Sequence, residues 1–338
     1  MDSIGRMRQT KWAVLGPGAI SRDFVTGLRS SRHGVLHAVG SSSAERAAAF
    51  AAEHGAEASG NYDEILTRDD VDAVYIGTVH TTHADLAIRA LEAGKAVLCE
   101  KPASTTADDV ERILDAAARA GRPFVEAFKN RFGPHADGLR AILASGELGA
   151  PLRVEASFGF ANGTRRGRLF DPALAGGAIL DVGCYPVSLA VEIARVGRMP
   201  GAGASLSSEV ALLEATADIV EGVDGHSRAE FEIAGVVAVV ETSIVRDLPR
   251  SAVIHCERGT LELPDAWGGR AESATSMIVR RDGSDRIVTV PSIQPMAAEA
   301  DAVSLALADG RVEAPEVPWD DSRAIARALT LWRGDVMA

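Results

Sequence analysis

Cysteine is scarce in this chain: 338 residues carry only Cys99, Cys184 and Cys256, far apart and odd in number. That excludes a disulfide framework and offers no zinc-ligand spacing. A reducing compartment, the cytoplasm, is the simplest reading. Long apolar runs are missing too, and none reaches the ~20 residues that span a bilayer. The opening MDSIGRMRQTK is polar and contains no apolar core of a secretion signal, so residues 1–10 read as a loose tail. Positive charge is in deficit, with 35 Lys and Arg against 47 Asp and Glu and a net charge of −12. No face carries a basic stripe, which argues against a nucleic-acid partner. The one dense basic patch, Arg165, Arg166 and Arg168, is short and reads as a solvated or anion-contacting loop.

What is present is size and apolar content. Hydrophobic residues make up 46% and charged residues 24%, as in ordinary soluble globular proteins, and the length suits two domains. Over residues 11–128, apolar runs alternate with amphipathic stretches. KWAVL, GVLHAVG, VDAVYIGT, KAVLCE and PFVEAF read as strands, with a helix between each pair. Helix ends are punctuated: Ser43 and Thr106 as N-caps, Gly55, Gly94 and Gly121 just past C-termini. Five such units predict a doubly wound parallel sheet covered on both faces. From residue 129 the pattern changes. A helix with Leu139, Ile142 and Leu143 on one face precedes an alternating strand, PLRVEASFGF, and a helix over about 182–195. Alternating segments separated by turns such as Asp282-Gly283 then predict a large, mostly antiparallel sheet, with two closing helices near 297–309 and 320–333. The fold class is therefore α/β, a Rossmann-type domain followed by an α+β domain over 129–338.

The first strand ends in GPGAIS, Gly16 to Ser21, which matches G-x-G-x-x-G at its first two glycines and carries serine at the third. A strand before it and a helix after it are the context of a dinucleotide turn, with Gly16, Gly18, Ala19 and Ile20 against the pyrophosphate. The second strand ends in Ser41, Ser42 and Ser43, with Arg46 one turn on and no carboxylate at the strand end to take a ribose 2′-OH. Hydroxyls, a helix N-terminus and a guanidinium suit a 2′-phosphate, so NADP is preferred and NAD is the alternative. Glu45 opposes this if it turns inward.

Lys101 follows the KAVLCE strand, at the sheet edge where ligands bind, and Pro102 keeps it out of helical conformation. Asp181 and Tyr185, four apart at the start of a helix, can share one face, and two glycines before them permit a close backbone approach. On spacing alone, a helix cap and a core tyrosine serve equally well.

GPGAIS, THADLAIRALEAGKAVLCEKP and GGAILDVGCYPV together resemble the glucose–fructose oxidoreductase/inositol dehydrogenase (GFO/IDH/MocA) family. RLFDP, RGTLELP and PEVPWDDS extend the resemblance over nearly the whole chain. It points toward the branch of dihydrodiol and aldose dehydrogenases. The resemblance implies a site between a Rossmann domain and an open-sheet domain, and a catalytic Lys101 whose peptide to Pro102 is often cis. It also implies Asp181 as the active-site aspartate and Tyr185 as acid/base. Thr78, His80 and His83 match the loop beside the cofactor, where Glu100 and Lys101 are also expected, Glu100 either contacting the cofactor or orienting Lys101. Ser42 stands where NADP-using members often carry Arg, and Ala178 where a third glycine is usual. Arg131 and Arg168, with His135, are expected to face the substrate, while His33, His37, His54 and His226 read as structural.

The chemistry agrees. Oxidising an alcohol removes a proton from oxygen while hydride leaves carbon. A phenol, pKa about 10, is a poor base at neutral pH, and a nearby ammonium lowers that value. The expected activity is NADP-linked oxidation or reduction of a small aldose, cyclic polyol or diol, with no metal, by a homodimer or homotetramer. Alternatives are a non-catalytic dinucleotide-binding regulator and a sugar–sugar oxidoreductase that holds its cofactor tightly.

Overall fold

A computed structural model describes residues 8–198, 204–268, 275–291 and 293–338. Residues 1–7 of the expected tail lie outside these, and Thr10 already belongs to the first strand.

The first half runs β1 (Thr10–Leu15), α1 (Ala19–Leu28), β2 (Gly34–Gly40), α2 (Ala44–His54), β3 (Ala58–Gly60), α3 (Tyr62–Leu66), β4 (Ala73–Ile76), α4 (His83–Glu92), β5 (Ala96–Glu100), α5 (Ala107–Ala120) and β6 (Phe124–Ala127). All neighbours pair in parallel, in the order β3-β2-β1-β4-β5-β6. The sixth strand missed in the sequence is β3, an Ala-Ser-Gly edge piece too short to show a period. Ser43 and Thr106 cap α2 and α5, and Gly55 and Gly121 close them in left-handed conformation. Successive residues of β1 feed opposite faces: Trp12 and Val14 join one core, Ala13 and Leu15 the other. Strand order reverses between β1 and β4, which opens a crevice at their carboxyl ends.

The second half runs α6 (Pro134–Ala144), β7 (Pro151–Ala161), α7 (Cys184–Gly197), β8 (Val210–Val220), β9 (Val223–Ile233), β10 (Val236–Ser243), β11 (Val245–Leu248), β12 (Ala252–Cys256), β13 (Gly259–Leu263), β14 (Thr275–Arg281), β15 (Ser284–Val290), α8 (Pro295–Ala308) and α9 (Trp319–Val336). Its nine-stranded sheet is antiparallel except where β7 meets β10, and β11 pairs on β7. β8 and β11 were not visible in the sequence. VALLEATADIV is rich in helix formers and becomes a strand through its pairing with β9.

No uninterrupted apolar run approaches a bilayer span, although one stretch passes by average composition. Residues Pro172–Gly197 are long and apolar enough to cross a bilayer by composition. In the fold they are the buried spine of the second half, packed against β7, β10 and α9. The α7 helix is buried over nearly its whole circumference and mostly apolar, and the Glu192 it does carry is buried in ion pairs.

The chain finally returns to the first half. α8 packs on α1 and across β2, β5 and β6, and Met296 sits over Gly27, where a Cβ would lie 2.7 Å from the Met296 Cβ. Asp301 of α8 accepts from the Ser31 hydroxyl at 2.5 Å and from the His33 N–H at 3.0 Å.

Candidate active site

A cleft of about 1340 Å³ opens at the carboxyl ends of the parallel strands, its other wall drawn from the second half. Every residue expected at the cofactor lines it, from Gly16, Gly18, Ala19 and Ile20 through Ser41, Ser42 and Arg46 to Thr78, His80, His83, Glu100 and Lys101. Arg168, Asp181 and Tyr185 line it as well.

At one end the backbone makes an anion cradle. Gly16 has φ +89°, and a Cβ there would lie 2.5 Å from the Thr78 methyl. Gly18 caps α1 without a side-chain hydrogen bond, so the first-turn N–H groups remain for a ligand. Ser21, at the third motif position, is buried and donates to the Gly16 carbonyl at 2.7 Å. A Cβ on Gly77 would lie 2.3 Å from the Ser21 Oγ. The missing glycine has thus been exchanged for one across the contact, at the end of β4. Ser43 caps α2, and Arg46 Nη2 donates to Ser42 Oγ at 3.0 Å, so a guanidinium and a hydroxyl share the end of β2. Glu45 is exposed and does not line the cleft. These features fit a dinucleotide, with the cradle for its phosphates and the Ser42–Arg46 pair beside the adenosine ribose.

At the other end Lys101 follows β5, joined to Pro102 by a cis peptide. Its Nζ donates to the main-chain oxygen of Asp181 at 2.5 Å and lies 4.7 Å from the Tyr185 ring centroid. Burial opposes the ammonium, yet the carboxyl groups of Asp181 and Glu100 beside it favour it, and the Lys101 pKa lies above the ordinary lysine value. The sequence argument expected Lys101 to bring the phenol down. It does pull in that direction, but burial outweighs it, and the Tyr185 pKa rises. Tyr185 is therefore a phenol, not a phenolate, at neutral pH. Asp181 sits in a π-helical turn, Ile179–Gly183, that leads into α7, and its carboxylate meets Arg168 Nη2 at 2.9 Å. Burial raises this carboxyl, but the Lys101 ammonium and the Arg168 guanidinium outweigh it and keep it an anion.

His83 Nδ1 lies 2.9 Å from the Pro102 oxygen and Nε2 3.3 Å from that of Thr78, tying the two cofactor loops together. Burial, with His83 and Lys101, pushes the His80 pKa down to about 3, so its ring is neutral. Glu100 is not the salt-bridge partner of Lys101: it accepts from the Tyr75 hydroxyl at 2.7 Å. Burial raises its pKa, as it does that of Glu299 on α8, which lines the same cleft.

Two substrate assignments fail. Arg131 is fully buried, paired to Glu192 at 2.9 Å and to Asp321, and donating to the Ser188 oxygen at 3.1 Å. It joins α7 to α9 and reaches no cleft. His135 does not line the cleft, and Arg165 and Arg166 are exposed outside it. The sequence reading missed an aromatic wall. Phe158 lies 5.4 Å from Tyr185 and stacks on Trp267 at 5.9 Å, with the Arg250 guanidinium 4.7 Å above its ring. Phe158 and Phe160 share one face of β7, and that alternation was the available signal.

The fold and cleft define an oxidoreductase with a dinucleotide-binding Rossmann domain. The description "oxidoreductase family, NAD-binding Rossmann fold" matches residues 10–128, and the GFO/IDH/MocA C-terminal domain matches residues 137–262. The chain belongs to the GFO/IDH/MocA family. It is 32% identical to the trans-1,2-dihydrobenzene-1,2-diol dehydrogenase of Xenopus tropicalis over 95% of this chain and 96% of that protein. It is 31% identical to D-xylose 1-dehydrogenase (NADP(+)) 2 of Haloferax volcanii over 94% of each. Among solved structures, an aldose-aldose oxidoreductase from Caulobacter crescentus superposes with TM-score 0.82, 23% identity and coverage of 97% and 98%, a likeness of fold.

Proposed function

We propose that this chain transfers hydride between NADP and a carbon bearing a hydroxyl in a small polyhydroxylated substrate, an aldose, cyclic polyol or trans-diol. The observation that carries it is the Lys101 ammonium, bound to the Asp181 carbonyl and held over the Tyr185 ring, in the cleft that begins at the Gly16–Gly18 turn. Relatives named for a trans-diol and for D-xylose with NADP(+) support the substrate class. Arg46 on the Ser42 hydroxyl supports NADP over NAD.

The nicotinamide, when bound, accepts or supplies the hydride. Tyr185, a protonated phenol, donates its proton to the oxygen of the carbonyl being reduced; in the oxidising direction it takes the hydroxyl proton only after losing its own to solvent. Lys101 places positive charge beside that oxygen as it becomes anionic. Asp181 acts twice: its carbonyl anchors Lys101, and its carboxylate, steadied by Arg168, accepts from a substrate hydroxyl. Phe158, with Trp267 stacked on it and Arg250 over its ring, forms an apolar side of the cleft next to Tyr185. Residues 11–128 serve the cofactor and 129–338 the substrate. Exposed Leu213 and Ile219 on β8 favour assembly as a homodimer or homotetramer, and three free cysteines suit a cytoplasmic setting.

The test is a screen of D-xylose, other aldoses, cyclic polyols and trans-diols with NADP and NAD in parallel. Turnover with NADP preferred is the expected result. Equal or better efficiency with NAD overturns the cofactor assignment, and no turnover on any member overturns the reaction.

A further inference from the structure

The Lys101–Tyr185 arrangement depends on where one helix begins. The Asp181 carbonyl that holds Lys101 lies in the π-helical turn Ile179–Gly183, and Tyr185 follows in the first turn of α7. Neither segment has a side-chain cap from its own N-cap residue. The cap comes from the nine-stranded sheet. Asp224 of β9 is fully buried, and its Oδ2 accepts from the Ile179 N–H at 2.6 Å. Its Oδ1 presses on Gly177, where a Cβ would stand 2.0 Å away, and Gly177 has φ +118°. Gly176 faces the other way: a Cβ there would lie 2.8 and 2.6 Å from the main-chain oxygens of Arg168 and Leu169. The Gly177 N–H donates to the Leu169 oxygen at 2.9 Å. The glycine pair thus makes its close approaches to Asp224 and to the Arg168 loop.

We propose that Asp224 is a positioning residue for the reaction. By capping the π-helical turn it fixes the Asp181 carbonyl and Tyr185 relative to Lys101, and through the Gly176–Gly177 turn it sets Arg168 against Asp181. This rests on the reading of Lys101 and Tyr185 as the catalytic pair. Among the described residues only Oδ2 of Asp224 is hydrogen-bonded, while Oδ1 is buried without a partner; a buried carboxylate is costly, and the helix N-terminus it caps is where its charge is favoured. Nothing at the cleft touches Asp224 itself, which is absent from the lining.

The experiment compares Asp224→Ala, Asp224→Ser and Asp224→Asn, with Lys101→Met and Tyr185→Phe as references. D-xylose and trans-1,2-dihydrobenzene-1,2-diol are the substrates, NADP the cofactor. The Ala variant, which removes the acceptor from Ile179, and the Ser variant, whose shorter hydroxyl falls back from it, are expected to lose kcat by roughly 10- to 100-fold. The KM for NADP should stay within about twofold, because the cradle is untouched. Asn, which keeps an acceptor oxygen, should restore most of the turnover. Amide hydrogen exchange over residues 179–185 should rise in Ala and Ser and stay low in Asn. Should Asp224→Ala not fold, Ser carries the comparison. Folded Ala or Ser variants with wild-type kcat, a loss confined to the KM for NADP, or no rescue by Asn overturns the proposal. If Lys101→Met and Tyr185→Phe also keep full turnover, the reading beneath it has failed. If they lose it and the Asp224 variants do not, only the role of Asp224 has.

Discussion

Lys101 is tied to Asp181 through the main chain: Nζ meets the Asp181 carbonyl at 2.5 Å, while the Asp181 carboxylate turns away to Arg168 at 2.9 Å. The hydrogen bond that anchors the lysine comes from the Asp181 main chain, while its carboxylate acts on Lys101 only through charge, and the two can be separated by mutation.

Asp181→Asn keeps the carbonyl and loses the charge. Its kcat should fall less than about tenfold while the KM for substrate rises. Lys101→Met and Tyr185→Phe should each lower kcat by roughly 10²–10⁴-fold, the range for a lost proton-transfer group. Steady-state kinetics on one substrate checks all three, and an Asp181→Asn loss as deep as that of Lys101→Met would mean the carboxylate itself holds the lysine in the working enzyme.

Arg46→Ala removes the guanidinium at the end of β2. A charge-assisted hydrogen bond of about 1.5–3 kcal/mol predicts a rise of tenfold or more in the KM for NADP, with NAD unchanged. Parallel titrations with the two nucleotides check it.

The exchange of glycine between positions 21 and 77 makes a coupled prediction. Gly77→Ala drives a Cβ to 2.3 Å from Ser21 Oγ and 2.9 Å from Tyr75 Cε1, and should cost about 1–3 kcal/mol of stability. Adding Ser21→Gly should recover part of that loss, leaving the Tyr75 contact. Thermal unfolding of the two single variants and the double variant measures the coupling.

Glu126 gives a pH dependence with a definite sign. It is buried, accepts from the Ala103 N–H at 2.7 Å, and burial pushes its pKa up to about 7. The folded state thus holds a proton that the unfolded chain releases near its ordinary value of about 4.3. Between these values the native state binds more protons, so this group's contribution to stability falls as pH rises, by about 3–4 kcal/mol in total, and levels off above pH 7. Glu126→Gln should remove that slope. Urea unfolding of both proteins from pH 4.5 to 7.5 checks it through the difference between the two curves.

The parallel half was legible because its strands are continuous apolar runs between capped helices, and the local signals agree with one another. The site was legible where chemistry is written in one place, as in GPGAIS and CEKP. It was not legible where a role depends on what a residue meets across the fold. Arg131 has the residue type of a substrate contact and the position of a buried strut, because Glu192 and Asp321, far along the chain, close around it. Tyr185 carries the right group, but its proton affinity is set by burial that no spacing reveals. Phe158 belongs to an ordinary alternating strand until Trp267 stacks behind it.

The placement of α8 has a consequence for how the protein is made. Trp12, Tyr75 and Leu98 face the same core as Met296, Ala300 and Val303. A ribosome delivers the strands of the first sheet before the whole second sheet, and α8, which covers this face, only after it. Until α8 emerges, the nascent nucleotide-binding half carries an open apolar surface, a natural client surface for chaperones.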